Sequence, residues 1–162
     1  MTSLHENQET KYPSVDPILK RIPIEWGRHI RCSEGWYPLI AELDANIAKI
    51  FPDYEIQQVK EKFGTLRYYW SAETPLPECC VSYRYSEGMD DHLLGTHADR
   101  VTHDQKEDDA LMLTFETNTN KVEKLVHDAE FRSASICELC SAPGALNTAN
   151  YYVRTLCASC SS

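Results

Sequence analysis

No run of 18 or more apolar residues occurs in the 162-residue chain, which excludes an ordinary transmembrane helix. Positive charge is scarce: 16 Lys and Arg stand against 25 Asp and Glu, for a net charge of -9. Nucleic-acid binding across the whole surface is thereby disfavoured, because its affinity comes from neutralising phosphates. Glycine is sparse at 6 residues, and none of it builds a phosphate-cradling loop or a dinucleotide fingerprint. A Ser-His-Asp signature and an H-E-x-x-H helix are missing as well. The start, Met1 to Thr10, lacks the basic-then-apolar order of a secretory signal, so a reducing cytosol is the expected compartment.

What the chain has in excess is cysteine, with 7 residues. In a cytosol such thiols are more often metal ligands or catalytic groups than disulfides. Cys137-Glu-Leu-Cys140 and Cys157-Ala-Ser-Cys160 form two C-x2-C pairs with 16 residues between them, a spacing that fits a four-thiolate zinc site. Each pair can form a knuckle, and the intervening Pro143-Gly144 and Tyr151 to Thr155 suffice for a small hairpin. A closed shell of four thiolates leaves zinc no open position, so the expected role is structural. Cys32, Cys79 and Cys80 have no second pair at useful spacing and read as isolated thiols.

The charge is unevenly placed. Residues 78 to 116 hold 3 basic and 10 acidic residues, while the flanks are close to neutral. This stretch follows Pro75 and Pro77 and contains β-leaning runs at Val81 to Tyr85 and Leu111 to Phe115, so an insertion at about 78 to 116, or a second hairpin with a long acidic loop, is expected. His92, His97 and His103 lie among its aspartates, a pattern read as a solvated loop. Before it, residues 1 to 35 carry Pro13, Pro17, Pro23 and Gly27, and an extended N-terminal arm is expected, with one helical turn near Pro17 to Lys20.

From Tyr37, apolar Leu39, Ile40, Leu43, Ile47 and Ile50 recur at helical spacing between Pro38 and Pro52, which predicts an amphipathic helix. Two β-rich runs, Tyr54 to Val59 and Thr65 to Trp70, flank a Gly-containing loop and predict a hairpin. Leu66, Tyr68 and Trp70 are expected on its core face and Arg67 and Tyr69 on the other. A further helix from Asn120 to about Ser133 follows from an Asn120/Glu123 capping box and the face Val122, Leu125, Val126 and Ala129. The fold expected is therefore α+β: an amphipathic helix with a β-hairpin or small antiparallel sheet, a second helix, and a C-terminal four-cysteine zinc-ribbon-like module at 135 to 162. The core would occupy 36 to 134.

The hairpin gathers the second candidate site. Lys60, Lys62 and Arg67 lie close in sequence to Phe63 and Tyr69, and Trp36 and Tyr37 precede the first helix. Cations with aromatics make up sites for a base, a phosphate or a protein partner. The helix start near Pro38 offers unpaired N–H groups that could join Lys60 and Lys62 at an anion. Trp36, Tyr37, Lys60, Lys62, Arg67 and Tyr69 are the residues expected to bind. The competing reading keeps the aromatics in the core and the cations on a solvated edge. Asp53 with Gln58 and Lys60 only faintly matches a metal-dependent nuclease pattern, and no catalytic residue is assigned.

Several of these strings resemble a family of small, mostly uncharacterised proteins of tailed bacteriophages and prophages. They are Gly35-Trp36-Tyr37-Pro38-Leu39-Ile40, Val59 through Tyr69 with its Lys-Glu-Lys-Phe-Gly core, Ser135 to Cys140 with Pro143-Gly144, and Arg154-Thr155-Leu156-Cys157. Ser141 stands where the family tends to have Gly, and Cys160 where it often has His. The resemblance implies a phage-encoded accessory protein in the cytoplasm of the infected bacterium. The function expected is a non-enzymatic binder that sequesters or inhibits a host component, such as a defence factor or its nucleotide messenger. Its partner would be a host protein or nucleotide-type ligand, with no membrane. The alternatives are a zinc-ribbon nucleic-acid or transcription-associated factor and, less favoured, a metal-dependent nuclease.

Overall fold

A computed structural model describes residues 13–76, 105–149 and 152–161. The chain divides into two compact units, Met1–Ala72 with Val122–Ser162, and Glu73–Lys121. The first holds every site residue considered below.

Three α-helices and two antiparallel two-stranded sheets make up the described residues: α1 (Asp16–Lys20), α2 (Tyr37–Ala48), β1 (Glu55–Lys62), β2 (Thr65–Ser71), α3 (Gln105–Ser133), β3 (Ala145–Asn147) and β4 (Arg154–Leu156). The fold is thus α+β with a small four-cysteine module at its C-terminal end. Helix α2 buries Leu39, Ile40, Leu43 and Ile47, which the three- and four-residue spacing places on one stripe. These side chains share a core with Ile56, Val59, Leu66 and Tyr68 of the hairpin and with Val122, Val126 and Ala129 of α3.

The expected arm is, over the described residues 13–35, part of that core. Val15, Ile18, Leu19 and Ile22 follow a helical period, and Ile18 and Ile22 are buried. A polar network fixes the segment: the Arg21 guanidinium pairs with Asp44 at 2.8 Å and lies 4.5 Å from the Tyr54 ring centroid. The Tyr54 hydroxyl in turn donates to Asp44 at 2.6 Å and meets the Tyr68 hydroxyl at 2.7 Å. Burial raises the ionisation of both tyrosines above the ordinary phenol range, so both remain neutral donors. Further on, the Arg31 N–H donates to Val59 O and the Glu61 N–H to Arg31 O, both at 2.9 Å, so residue 31 covers one edge of β1.

The opposite edge of the hairpin is closed by side chains rather than by a strand. Ser133 Oγ accepts from the Leu66 N–H at 2.8 Å and Glu130 Oε1 from the Tyr68 N–H at 3.0 Å. Helix α3 thereby satisfies backbone donors that would otherwise form an exposed strand edge.

Helix α3 differs from expectation. It is continuous from Gln105, so Asn120 lies inside it and caps nothing, and Leu111 to Phe115 is helical, not a strand. Lys, Glu, Ala, Leu and Met are strong helix formers, and Glu107 and Asp108 suit a first turn,. Its buried stripe starts only at Val122, which is where the first compact unit resumes. The expected insertion at 78 to 116 compares with a second unit of Glu73–Lys121. The run Val81 to Tyr85, Cys79, Cys80, His92, His97 and His103 lie outside the described residues.

Candidate metal centre and the outer face of the hairpin

The two knuckles close alike. The Ser141 N–H donates to Cys137 O at 2.9 Å and the Ser161 N–H to Cys157 O at 3.0 Å, which turns both cysteines of each pair toward one point. Strands β3 and β4 pair Leu146 with Thr155 and hold the knuckles together. The four Sγ atoms of Cys137, Cys140, Cys157 and Cys160 lie within 4.8 Å of one another, with Cys140–Cys157 at 3.5 Å and Cys140–Cys160 at 3.6 Å. Tetrahedral sulfurs on an ion at about 2.3 Å stand roughly 3.8 Å apart, so the cluster has the dimensions of a metal site.

Its protonation pattern fits a cation as well. Burial works to raise the Cys137 thiol, but the backbone N–H groups of Cys157, Leu139 and Cys140 hold it at about 6. Cys160, against Cys157 and Cys140, is pushed up to about 12. Four sulfurs this close cannot all be thiolates unless a cation compensates them.

The module is bound to the rest of the unit through Gly35 and Trp36. The Gly35 N–H donates to Glu138 O at 2.8 Å, Trp36 Nε1 to Ile136 O at 2.8 Å, and Ser141 Oγ to Gly35 O at 2.7 Å. Buried Glu138 pairs with Arg154, and Ser33 Oγ donates to its Oε1 at 3.3 Å. Ser141 sits at φ 64, a left-handed conformation that Gly adopts freely. Its hydroxyl bond to Gly35 compensates the strain.

The hairpin tip enters the same module. Phe63 and Gly64 have φ of 55 and 79, the mark of a two-residue type I′ turn. Thr155 Oγ1 donates to Gly64 O at 2.6 Å, and a Cβ on Gly64 would lie 2.3 Å from Leu146 Cδ1.

Two sequence expectations need correction here. Trp36 is not on a binding face: it is 0% exposed, and its indole N–H is spent on Ile136 O, a carbonyl 100 positions away. Nor is the start of α2 a free anion site beside Lys60 and Lys62, because the preceding residues dock on the cysteine module. Tyr37 is half-buried against the core. Arg67 lies on the outer face, but it donates to Leu66 O and pairs with Glu130 at 3.6 Å.

Lys60 and Tyr69 do come together, while Lys62 lies against Phe63. Lys60 Nζ lies 5.2 Å from the Tyr69 ring centroid and Lys62 Nζ 5.5 Å from that of Phe63. Tyr69 and Phe63 are both exposed.

A β-bulge shapes this face in a way that simple alternation does not reveal. The register slips between Ile56 and Gln58, so Ile56 and Val59, three positions apart, are both buried while Gln57 is exposed and Gln58 half-exposed. Bulges re-aim side chains in this manner. Together with Trp26, which ends a 3-10 turn closed by Gly27 at φ 68, the two glutamines and Tyr69 line an open groove of ≈ 300 Å³. Trp26, Gln57 and Gln58 were not among the expected binding residues. A tryptophan in a polar stretch and two adjacent amides within a strand are the signals that could have found them.

Among the described residues no helix is long and apolar enough to cross a membrane. No protein-family model, curated protein or solved structure matches this chain.

Proposed function

We propose that this is a non-enzymatic phage accessory protein that binds and sequesters or inhibits a host component in the bacterial cytoplasm, with the outer face of the hairpin as its working surface. The observation that carries this reading is exposed Tyr69, with Lys60 over its ring and exposed Trp26 lining the same groove, on a hairpin whose tip is held by the cysteine module. Exposed rings beside cations are the composition of binding hot spots. The metal we assign is zinc, since four thiolates in a tetrahedral shell select zinc or iron and the closed shell leaves no position for a reactant. Zinc would then hold the hairpin still and take no part in chemistry.

Co-purification from bacterial cells tests the reading. Tagged wild-type protein is expected to retain a host component that a folded Lys60→Glu/Tyr69→Ala double variant loses. Recovery of the same components with both proteins would refute the assignment of the surface.

A further inference from the structure

Across the hairpin, Lys60 is the register partner of Arg67 on β2 and of Arg31 at the bridge on the other edge. Register partners project from the same face of a sheet. Three cations, Arg31, Lys60 and Arg67, therefore stand in one row across the outer face of a chain whose net charge is -9. Like charges placed opposite each other destabilise a strand pair. Glu130 compensates Arg67. Arg31 meets His29, and Lys60 meets the Tyr69 ring; among the described residues no carboxylate pairs with either cation.

The adjoining row is Gln58 and Tyr69, again register partners, and with Gln57 and Trp26 they line the open groove of ≈ 300 Å³. That volume is at the small end of ligand sites, which span about 300–1,000 Å³. The bulge is what makes the neighbourhood unusual. Without the extra residue the alternation would send one of the two amides inward; with it, both lie beside the rings.

We propose that this bulge builds a site for a purine nucleotide, in which the base contacts Trp26 and Tyr69, the Gln57 and Gln58 amides read its edge, and Lys60 with Arg31 holds the phosphate. Aromatic faces take any flat heterocycle. A carboxamide pairs in two places with the adjacent acceptor and donor of adenine, N7 and N6, which favours adenine over the other bases. The cation row supplies the charge that an uncharged base would leave unused. A free mononucleotide and a single-stranded adenylate share this chemistry.

The inference rests on the outer face being the working surface, and it narrows the ligand. Titration calorimetry of the full zinc-loaded chain should detect adenosine 5′-monophosphate, with adenosine and inorganic phosphate each binding more weakly. A short single-stranded oligoadenylate in a parallel arm separates the two sources: tighter binding of the oligomer assigns the site to a strand, equal binding to the free nucleotide. Tyr69→Leu, Gln58→Ala and Lys60→Ala should each weaken binding roughly tenfold or more without moving the melt. Absence of binding by mononucleotide and oligomer at millimolar concentration, or binding that survives all three substitutions in folded protein, would overturn the site. If nucleotides fail while a host protein is still captured through Lys60 and Tyr69, the nucleotide inference falls and the binding surface stands. If both fail, both fall.

Discussion

Replacing Gly35 with alanine tests how tightly the cysteine module and α2 are joined. A Cβ built on Gly35 would lie 2.4 Å from Cys137 O and 2.6 Å from both Glu138 C and Glu138 O. All three are backbone atoms of the first knuckle, so no rotamer change relieves the overlap. The knuckle must withdraw from α2 by several tenths of an ångström or more. That withdrawal strains three hydrogen bonds at once: Gly35 N–H to Glu138 O, Trp36 Nε1 to Ile136 O and Ser141 Oγ to Gly35 O. A buried polar group left unpaired costs about 1–3 kcal/mol, so even partial loss of the three reaches about 3 kcal/mol, a large fraction of a stability of about 5–15 kcal/mol.

Gly64→Ala is the control. Its φ of 79 is unfavourable for alanine, at about 1–2 kcal/mol. The atom its Cβ would meet, Leu146 Cδ1, is the end of an exposed side chain that can swing away. Urea denaturation at a fixed excess of zinc should therefore rank Gly35→Ala well below Gly64→Ala, which in turn lies below wild type. A Gly35→Ala protein within about 1 kcal/mol of wild type, or one more stable than Gly64→Ala, would refute the rigid junction.

Ser133→Ala removes the buried hydroxyl that accepts from the Leu66 N–H and should destabilise by about 1–3 kcal/mol, read as a lower urea midpoint; an unchanged midpoint would show that the β2 edge is satisfied by another route. Burial, reinforced by the charges of Glu138 and Glu61, pushes the Cys32 thiol up to about 12. Its thiolate is therefore minor until the pH nears that value, and iodoacetamide at about pH 8 should leave Cys32 unmodified in the folded protein and label it after denaturation. Labelling of folded protein at the rate of a free thiol would contradict this half-buried setting beside Glu138 and Glu61.

The parts of this fold written into local sequence are those with local causes. Cys137, Cys140, Cys157 and Cys160 are legible because knuckle geometry fixes their spacing, and α2 because Leu39, Ile40, Leu43 and Ile47 repeat at the period of the element itself. The place of Trp36 is not legible locally, because a tryptophan beside glycine looks alike whether it ends in a core or on a surface. The deciding partner, Ile136 O, is 100 residues away.

The hairpin was legible in outline, but the bulge was not. Its evidence is the three-residue gap between the buried Ile56 and Val59, which reads as a break in alternation until the partner strand is known. Leu111 to Phe115 looked like a strand because its residues are apolar or β-branched, yet the helix formers on both sides of it carry the helix through. The period of Val15, Ile18, Leu19 and Ile22 was present in the sequence and obscured by the surrounding prolines.

The zinc we propose at the four cysteines would close the module that clamps the hairpin. Elemental analysis of chelator-free protein, followed by an acid titration of metal release monitored with the melt, measures it directly. One zinc per chain is expected, released as the thiolates protonate, with Tm falling in step and with the Cys140→Ser protein already low in both. A metal content near zero in folded protein with all thiols free, or full zinc content whose removal leaves Tm unchanged, would contradict the account.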